Sequence, residues 1–148
     1  PDLTGLSLSD VATGATKTLA ADTISYVDYA GGAACACTLP AATAGTVVVY
    51  VQAKDTTGGT NTLSFDCAGS DVYKTGSVIE SRSGGEVSFD TSAANETLLT
   101  FTPANAATNL FTTGSKIYFV CYEKGTWVIS YEMGGAADAT TGAFAFAS

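Results

Sequence analysis

Residues 33–52, AACACTLPAATAGTVVVYVQ, constrain the fold more than any other stretch. A small-residue apolar segment runs into Leu39-Pro40, turns through residues 41–45, and re-emerges as the most β-branched run in the chain, residues 46–51. Pro40 has no N–H for a ladder and biases Leu39 towards extended geometry, while Gly45 can take the positive φ of a tight return. The strand therefore has to stop at Leu39 and restart at Thr46. We read the stretch as a hairpin-like corner at the centre of an all-β domain.

The remaining segments follow the same grammar. In residues 18–29, Ile24, Tyr26 and Asp28 share one face and Thr23, Ser25, Val27 and Tyr29 the other. Leu63, Phe65 and Cys67 share a face after a loop tipped by Gly58-Gly59, and short extended segments follow at Val72-Tyr73, Val78-Ile79, residues 86–89 and residues 98–102. Residues 104–111, ANAATNLF, are the one place where a helical turn is expected. Residues 116–123 and 126–132, KIYFVCYE and TWVISYE, are aromatic, β-branched and joined by Lys124-Gly125, the signature of a β-hairpin. Such spacing without a helical partner predicts an antiparallel sandwich or jelly-roll-like barrel with flexible N- and C-terminal arms. The expected division is an N-terminal arm over 1–17, a β domain over 18–132 and a C-terminal tail over 133–148. Leu3, Leu6 and Leu8 give the first arm a weak alternation. Phe144 and Phe146 give the tail an apolar pair that must dock, on its own domain or on another subunit, rather than stand in water.

At 148 residues the chain fits one domain with a real core. Only 14% of residues are charged, so Thr, Ser, Asn and Gly have to cover much of the surface. The formal net charge of −8 repels phosphate backbones and argues against nucleic acid as a partner. No apolar run is long enough for a membrane-spanning helix, and the first residues lack the pattern of a secretion signal, so no membrane partner and synthesis in a cytoplasm are expected. Cys35 and Cys37, two apart on a strand, point to one face and are badly placed to bond to each other. Buried free thiols are the expectation for all four cysteines, with a disulfide such as Cys67–Cys121 as the alternative.

Reactive chemistry is scarce. The chain has no histidine, which removes Ser-His-Asp triads, Cys-His pairs and histidine metal sites. Glu80, Glu86, Glu96, Glu123 and Glu132 could in principle supply a glycosidase pair, but Trp127 is the only tryptophan, and its place in the hairpin points to core packing. The acidic loops at 55–61 and 66–71 lack the alternating ligands of a calcium loop, and no phosphate-binding glycine motif occurs. No catalytic residue, cofactor or metal is assigned, and the chain is not expected to be an enzyme.

The stretch LAADTISYVDYAGGAACACTLPAATAGTVVVYVQ, residues 19–52, resembles small virion proteins of tailed bacteriophages. They share an opening "TLtaaDs" strand, a strand ending in TLPAAtAG and a β-branched run, and the likeness continues loosely to the Gly125-Thr126-Trp127 hairpin. The specific part is TLPAATAG; the Cys35-x-Cys37 pair and the Ala/Phe tail lie outside the pattern. The proteins it resembles include head decoration, or cement, proteins: all-β, often homotrimeric, bound to the outer surface of the capsid. The resemblance implies a virion structural protein whose partners are the major capsid protein and further copies of itself. On that reading Leu3, Leu6 and Leu8 are the expected capsid-binding anchors, and Phe144 and Phe146 the expected subunit interface. The alternative is a host-recognition or carbohydrate-binding β-module of a tail fibre or other surface structure, with Tyr26, Tyr29, Tyr73 and Tyr131 stacking on sugars.

Overall fold

In the computed structural model, residues 7–11, 16–29, 32–54, 61–83, 86–103, 112–134 and 142–148 are described. They form two sheets packed face to face as a sandwich, without helix among the described residues and without closure into a barrel. The first sheet has six strands in the order β1 (Ser7–Val11), β3 (Thr23–Val27), β5 (Val47–Gln52), β11 (Lys116–Glu123), β12 (Thr126–Glu132) and β7 (Val72–Tyr73). The second has seven, in the order β2 (Thr16–Thr18), β4 (Cys35–Thr38), β6 (Leu63–Asp66), β10 (Leu98–Pro103), β13 (Gly142–Ala147), β8 (Val78–Ser83) and β9 (Glu86–Thr91).

The connectivity is not antiparallel throughout. From β1 to β6 the chain alternates between sheets, so that β1, β3 and β5 lie parallel in one and β2, β4 and β6 parallel in the other. Residues 33–52 are therefore an inter-sheet corner and not a hairpin: β4 belongs to one sheet and β5 to the other. The expected stop and restart are found, at Thr38 and Val47, and Gly45 takes a φ of 91°. The corner is tied at four points. Leu39 N–H donates to the Asp66 carbonyl (2.8 Å), Ala42 N–H to Asp71 Oδ2 (2.7 Å), Gly45 N–H to the Cys121 carbonyl (2.8 Å), and Gly125 N–H to the Ala42 carbonyl (2.9 Å). A turn that crosses the sandwich has no ladder of its own, and bonds to three distant segments satisfy its backbone instead.

The core lies between the sheets. Val48, Tyr50, Ile117, Phe119, Cys121, Trp127 and Ile129 face it from the first sheet; Cys35, Cys37, Leu63, Phe65, Leu99, Phe101 and Ile79 face it from the second. Edge-on and tilted ring contacts, Tyr50 on Phe65 at 4.9 Å and Phe65 on Phe119 at 5.1 Å between centroids, join the layers. At the end of β5, fully buried Gln52 accepts a hydrogen bond from the Tyr50 hydroxyl and donates Nε2 to the carbonyls of Tyr29 and Lys54, while Tyr29 donates its hydroxyl to the Asn61 carbonyl (2.5 Å). Trp127 is fully buried, as its hairpin position predicts.

Over their described parts the terminal segments are strands of the two sheets. β1 and β2 fall within the N-terminal segment 1–17 and at its end, and both pair in register with domain strands. Of the 133–148 tail, β13 is an interior strand between β10 and β8. The sequence is read as a tail because Ala and Gly carry low strand propensity, but two phenylalanines at alternate positions are enough to bury one face. The helical turn expected at 104–111 lies outside the described residues.

Candidate interaction surfaces

Leu3 and Leu6 lie outside the described residues. The backbone of Leu8 pairs with Ile24 in β1, beside the outward-facing row of the first sheet. Phe144 and Phe146 are in the core of their own domain, 4% and 8% exposed. Their rings meet Phe101 at 4.8 Å and Tyr73 at 5.3 Å between centroids. Ser81 Oγ and Asp90 Oδ2 accept hydrogen bonds from their backbone N–H groups, at 2.8 and 2.6 Å. Docked on their own domain, they have no free ring to offer a sister subunit, and the subunit-interface expectation is corrected on that ground.

The two outer faces of the sandwich differ in kind. On the first sheet, the registers align Ile24, Val49, Tyr118 and Ser130 in one row, and Tyr26, Val51, Lys116 and Glu132 in the next. This face is bulky and already largely covered: Val49 is fully buried, and Val51 and Tyr118 are below a tenth exposed. Lys116 Nζ and the Tyr118 hydroxyl both donate to Glu132 Oε2, at 3.0 and 3.2 Å. The Lys116 hydrogen bond and charge hold the Glu132 carboxyl below the usual glutamate range, with the Tyr118 hydroxyl adding to the effect.

On the second sheet the outward rows are short side chains. One row reads Thr16, Ala36, Ser64, Thr100 and Ala145 across five strands; the next reads Thr18, Thr38, Asp66, Leu98 and Ala147. All of them are half-buried or exposed. The reason is the alternation of the strands themselves: most large residues of β4, β6, β10 and β13 occupy the inward positions, leaving Ala, Thr and Ser outside together with Asp66 and Leu98 in the second row. The result is a face of mostly small residues.

Beyond this face, at the edge of the same sheet, β9 exposes Val87 and Phe89 at 50% and 61%. Sequence reasoning marks residues 86–89 as a strand but gives them no role. The available signal is EVSFDT, in which two large apolar residues alternate with polar ones and no lysine or proline guards the strand.

A shallow cleft of about 450 Å³ opens where the turn between β7 and β8 meets β12, lined by Lys74, Thr75, Ser77, Val78, Ser130 and Tyr131 among others. Ser77 is buried and its hydroxyl has no partner. Of the four tyrosines considered for sugar stacking, Tyr29 and Tyr73 are core residues, Tyr26 is 43% exposed, and Tyr131 lies in the cleft.

The thiols are all buried and none forms a disulfide. Cys35 and Cys37 do point to one face, with sulfurs 3.9 Å apart. Their mutual hydrogen bond and burial push the Cys37 thiol up, and burial pushes Cys67 up to about 12. Cys37 and Cys67 are therefore proton-bearing core side chains, whereas the hydrogen bond with Cys37 lowers the Cys35 thiol. Among the described residues no cluster of three or more metal-ligating side chains occurs. Glu96 is engaged locally, Oε2 accepting from the Ala93 N–H at 2.6 Å, and Glu132 is held by Lys116. No known family model, curated protein or solved structure matches the chain.

Proposed function

We propose that the chain is a structural protein of a virion, a decoration protein that binds the outer surface of a tailed-bacteriophage capsid and stabilises the head. The observation that carries this reading is the flat small-residue face of the seven-stranded sheet. Alanine, serine and threonine lose little rotamer freedom on burial and let another backbone approach closely, so such a face suits broad shape-matched contact with a second protein better than capture of a small ligand. The TLPAATAG segment supports it from the other side. In this chain that segment is a structural corner bonded to three distant segments, a role that belongs to the framework of a fold and not to a reaction. Modest binding per copy, repeated over a lattice, suffices to stabilise a shell through multivalency. The major capsid protein is the proposed partner.

The test is co-sedimentation with capsid shells stripped of decoration protein. Wild-type chain binds saturably, and Thr100→Arg together with Ala145→Arg, which raises two long charges from the flat face, abolishes binding, whereas Tyr122→Lys does not. Equal binding by the double variant, or no binding by the wild type, overturns the reading.

A second reading, a carbohydrate-binding module, draws on the cleft that brings Tyr131 beside Lys74, Thr75 and Ser130. Its volume is within the range of small-ligand sites. Retention on a host polysaccharide that Tyr131→Ala abolishes would establish it in place of the first.

A further inference from the structure

The edge strand β9 is the longest of the four edges of this sandwich. β7 and β2 have two and three residues, Lys17 sits in β2, and β1 has five residues. β9 has six residues, carries neither lysine nor proline, and shows Val87 and Phe89 to solvent. β8 occupies one side of it only, so alternate N–H and C=O groups along its other side have no ladder partner in the sheet.

We infer that β9 is a self-association edge: two copies of the chain pair antiparallel through β9 about a two-fold axis at Phe89. The choice of register follows from the residues. With Phe89 opposite Phe89 of the second copy, Val87 faces Thr91 and Ser88 faces Asp90. Two aromatic residues meet, β-branched residues face each other, a hydroxyl lies opposite a carboxylate, and no like charges are opposed. Moving the axis by one residue, to Ser88, sets Glu86 against Asp90 and costs that match. The contact is isologous, so each copy offers the same strand and the assembly closes at two.

The geometry has a consequence for the flat face. A two-fold relating antiparallel edge strands stands perpendicular to the plane of the strands, so the β8–β9 hairpins of two copies join into one four-stranded ribbon with the same face of each on the same side. Val87 and Phe89 lie on the face of that ribbon away from Asp90, which accepts from Phe146 N–H. In this part the inference rests on the proposed capsid binding: the pair would present two docking faces at once, raising affinity for a lattice without any new contact. The resemblance implies a trimer; the β9 edge supplies a two-fold contact instead.

The test is the mass of the full chain in solution by light scattering across a concentration series. The expected result is a dimer whose dissociation constant rises roughly tenfold or more in Phe89→Lys, while Tyr122→Lys, a charge on a more exposed aromatic elsewhere, leaves it unchanged. Phe89 is exposed, so both variants are expected to keep the wild-type near-ultraviolet spectrum and melting temperature. The register has its own reading. Phe89→Cys places two thiols opposite each other within the Cα separation a disulfide spans, and mild oxidation is expected to give a cross-linked dimer. A monomer at every concentration overturns the inference, as does a dimer or trimer indifferent to Phe89→Lys. None of these measurements uses capsid shells, so failure of the β9 pairing and failure of the capsid-binding reading are separately visible.

Discussion

From β1 to β6 the chain crosses to the opposite sheet at every connection, whereas from β8 to β13 it twice turns straight back on itself, in the β8–β9 and β11–β12 hairpins. In the first region every strand pair is parallel and joins strands that are not consecutive. Register there cannot be set by a turn. It is set by which residues must be buried, since a slip of one residue turns every core side chain of a strand outward. In the second region the turns do much of that work, as where Lys124-Gly125 sets the β11–β12 ladder, Gly125 at a φ of 83°. One fold thus has a half held by long-range packing and a half organised by local turns, and β13 is what closes the second half.

The largest test of this difference is deletion from each end. Truncation after Gly134 removes β13 from between β10 and β8, cuts the β8–β9 hairpin off from its sheet and strips two aromatic rings from the core. We expect no cooperative thermal transition in that variant, while deletion of residues 1–11, which removes the edge strand β1, retains one. Phe144→Ala and Phe146→Ala, measured singly by denaturant unfolding, are each expected to cost about 3–5 kcal/mol. A truncated chain that melts cooperatively would make the tail the dispensable arm its composition suggests.

A smaller effect, confined to the packing-held half, comes from Gln52. Its side chain is bonded to Tyr50 and to the Tyr29 and Lys54 carbonyls, so Gln52→Leu keeps the volume and removes the side-chain donor to the buried Tyr29 carbonyl. About 1–3 kcal/mol is expected for each group left without a partner. A loss below ~1 kcal/mol in equilibrium unfolding would mean that β5 is anchored by its apolar residues alone.

The same contrast explains what could be read in the sequence. The β11–β12 hairpin is legible because its signal is local: two β-branched, aromatic runs and a two-residue turn. The inward positions of β6 and β3 are legible for the same reason, through alternation at Leu63, Phe65 and Cys67 and at Thr23, Ser25 and Val27. The corner at 39–46 is legible as a stop and restart, but Pro40 and Gly45 say only that the chain turns, not whether it returns to its own sheet. That choice depends on Asp66, Asp71 and Cys121, which the sequence holds far away. β13 is hidden by its alanines. They read as low complexity until the partner strands show that the face they leave outside is meant to be flat. The site shares that fate, because a flat face is built by five strands and no single segment carries its signature.

The smallest effect sharpens the turn-organised half. Lys116 and Glu132 lie directly opposite at the open end of the β11–β12 ladder, 3.0 Å apart, and a slip of one residue would separate them. The Lys116 hydrogen bond and charge lower the Glu132 carboxyl, and the Glu132 hydrogen bond raises the Lys116 ammonium. The signs follow. A carboxyl lowered in the folded state contributes stability that is present above its unfolded value of about 4.3 and is lost as pH falls through the folded one. An ammonium raised in the folded state contributes stability that is present below its unfolded value of about 10.4 and is lost as pH rises through the folded one. Both groups are open to water, so the pair changes stability little between those limits. Its clear reading is the carboxyl titration itself. In Lys116→Met, carbon-detected NMR is expected to show the Glu132 midpoint moving up towards the ordinary glutamate value, with the residual depression due to Tyr118. An unmoved midpoint would mean that the strand ends are not held in register in solution, and that the Lys124-Gly125 turn organises only the half of the hairpin nearest to it.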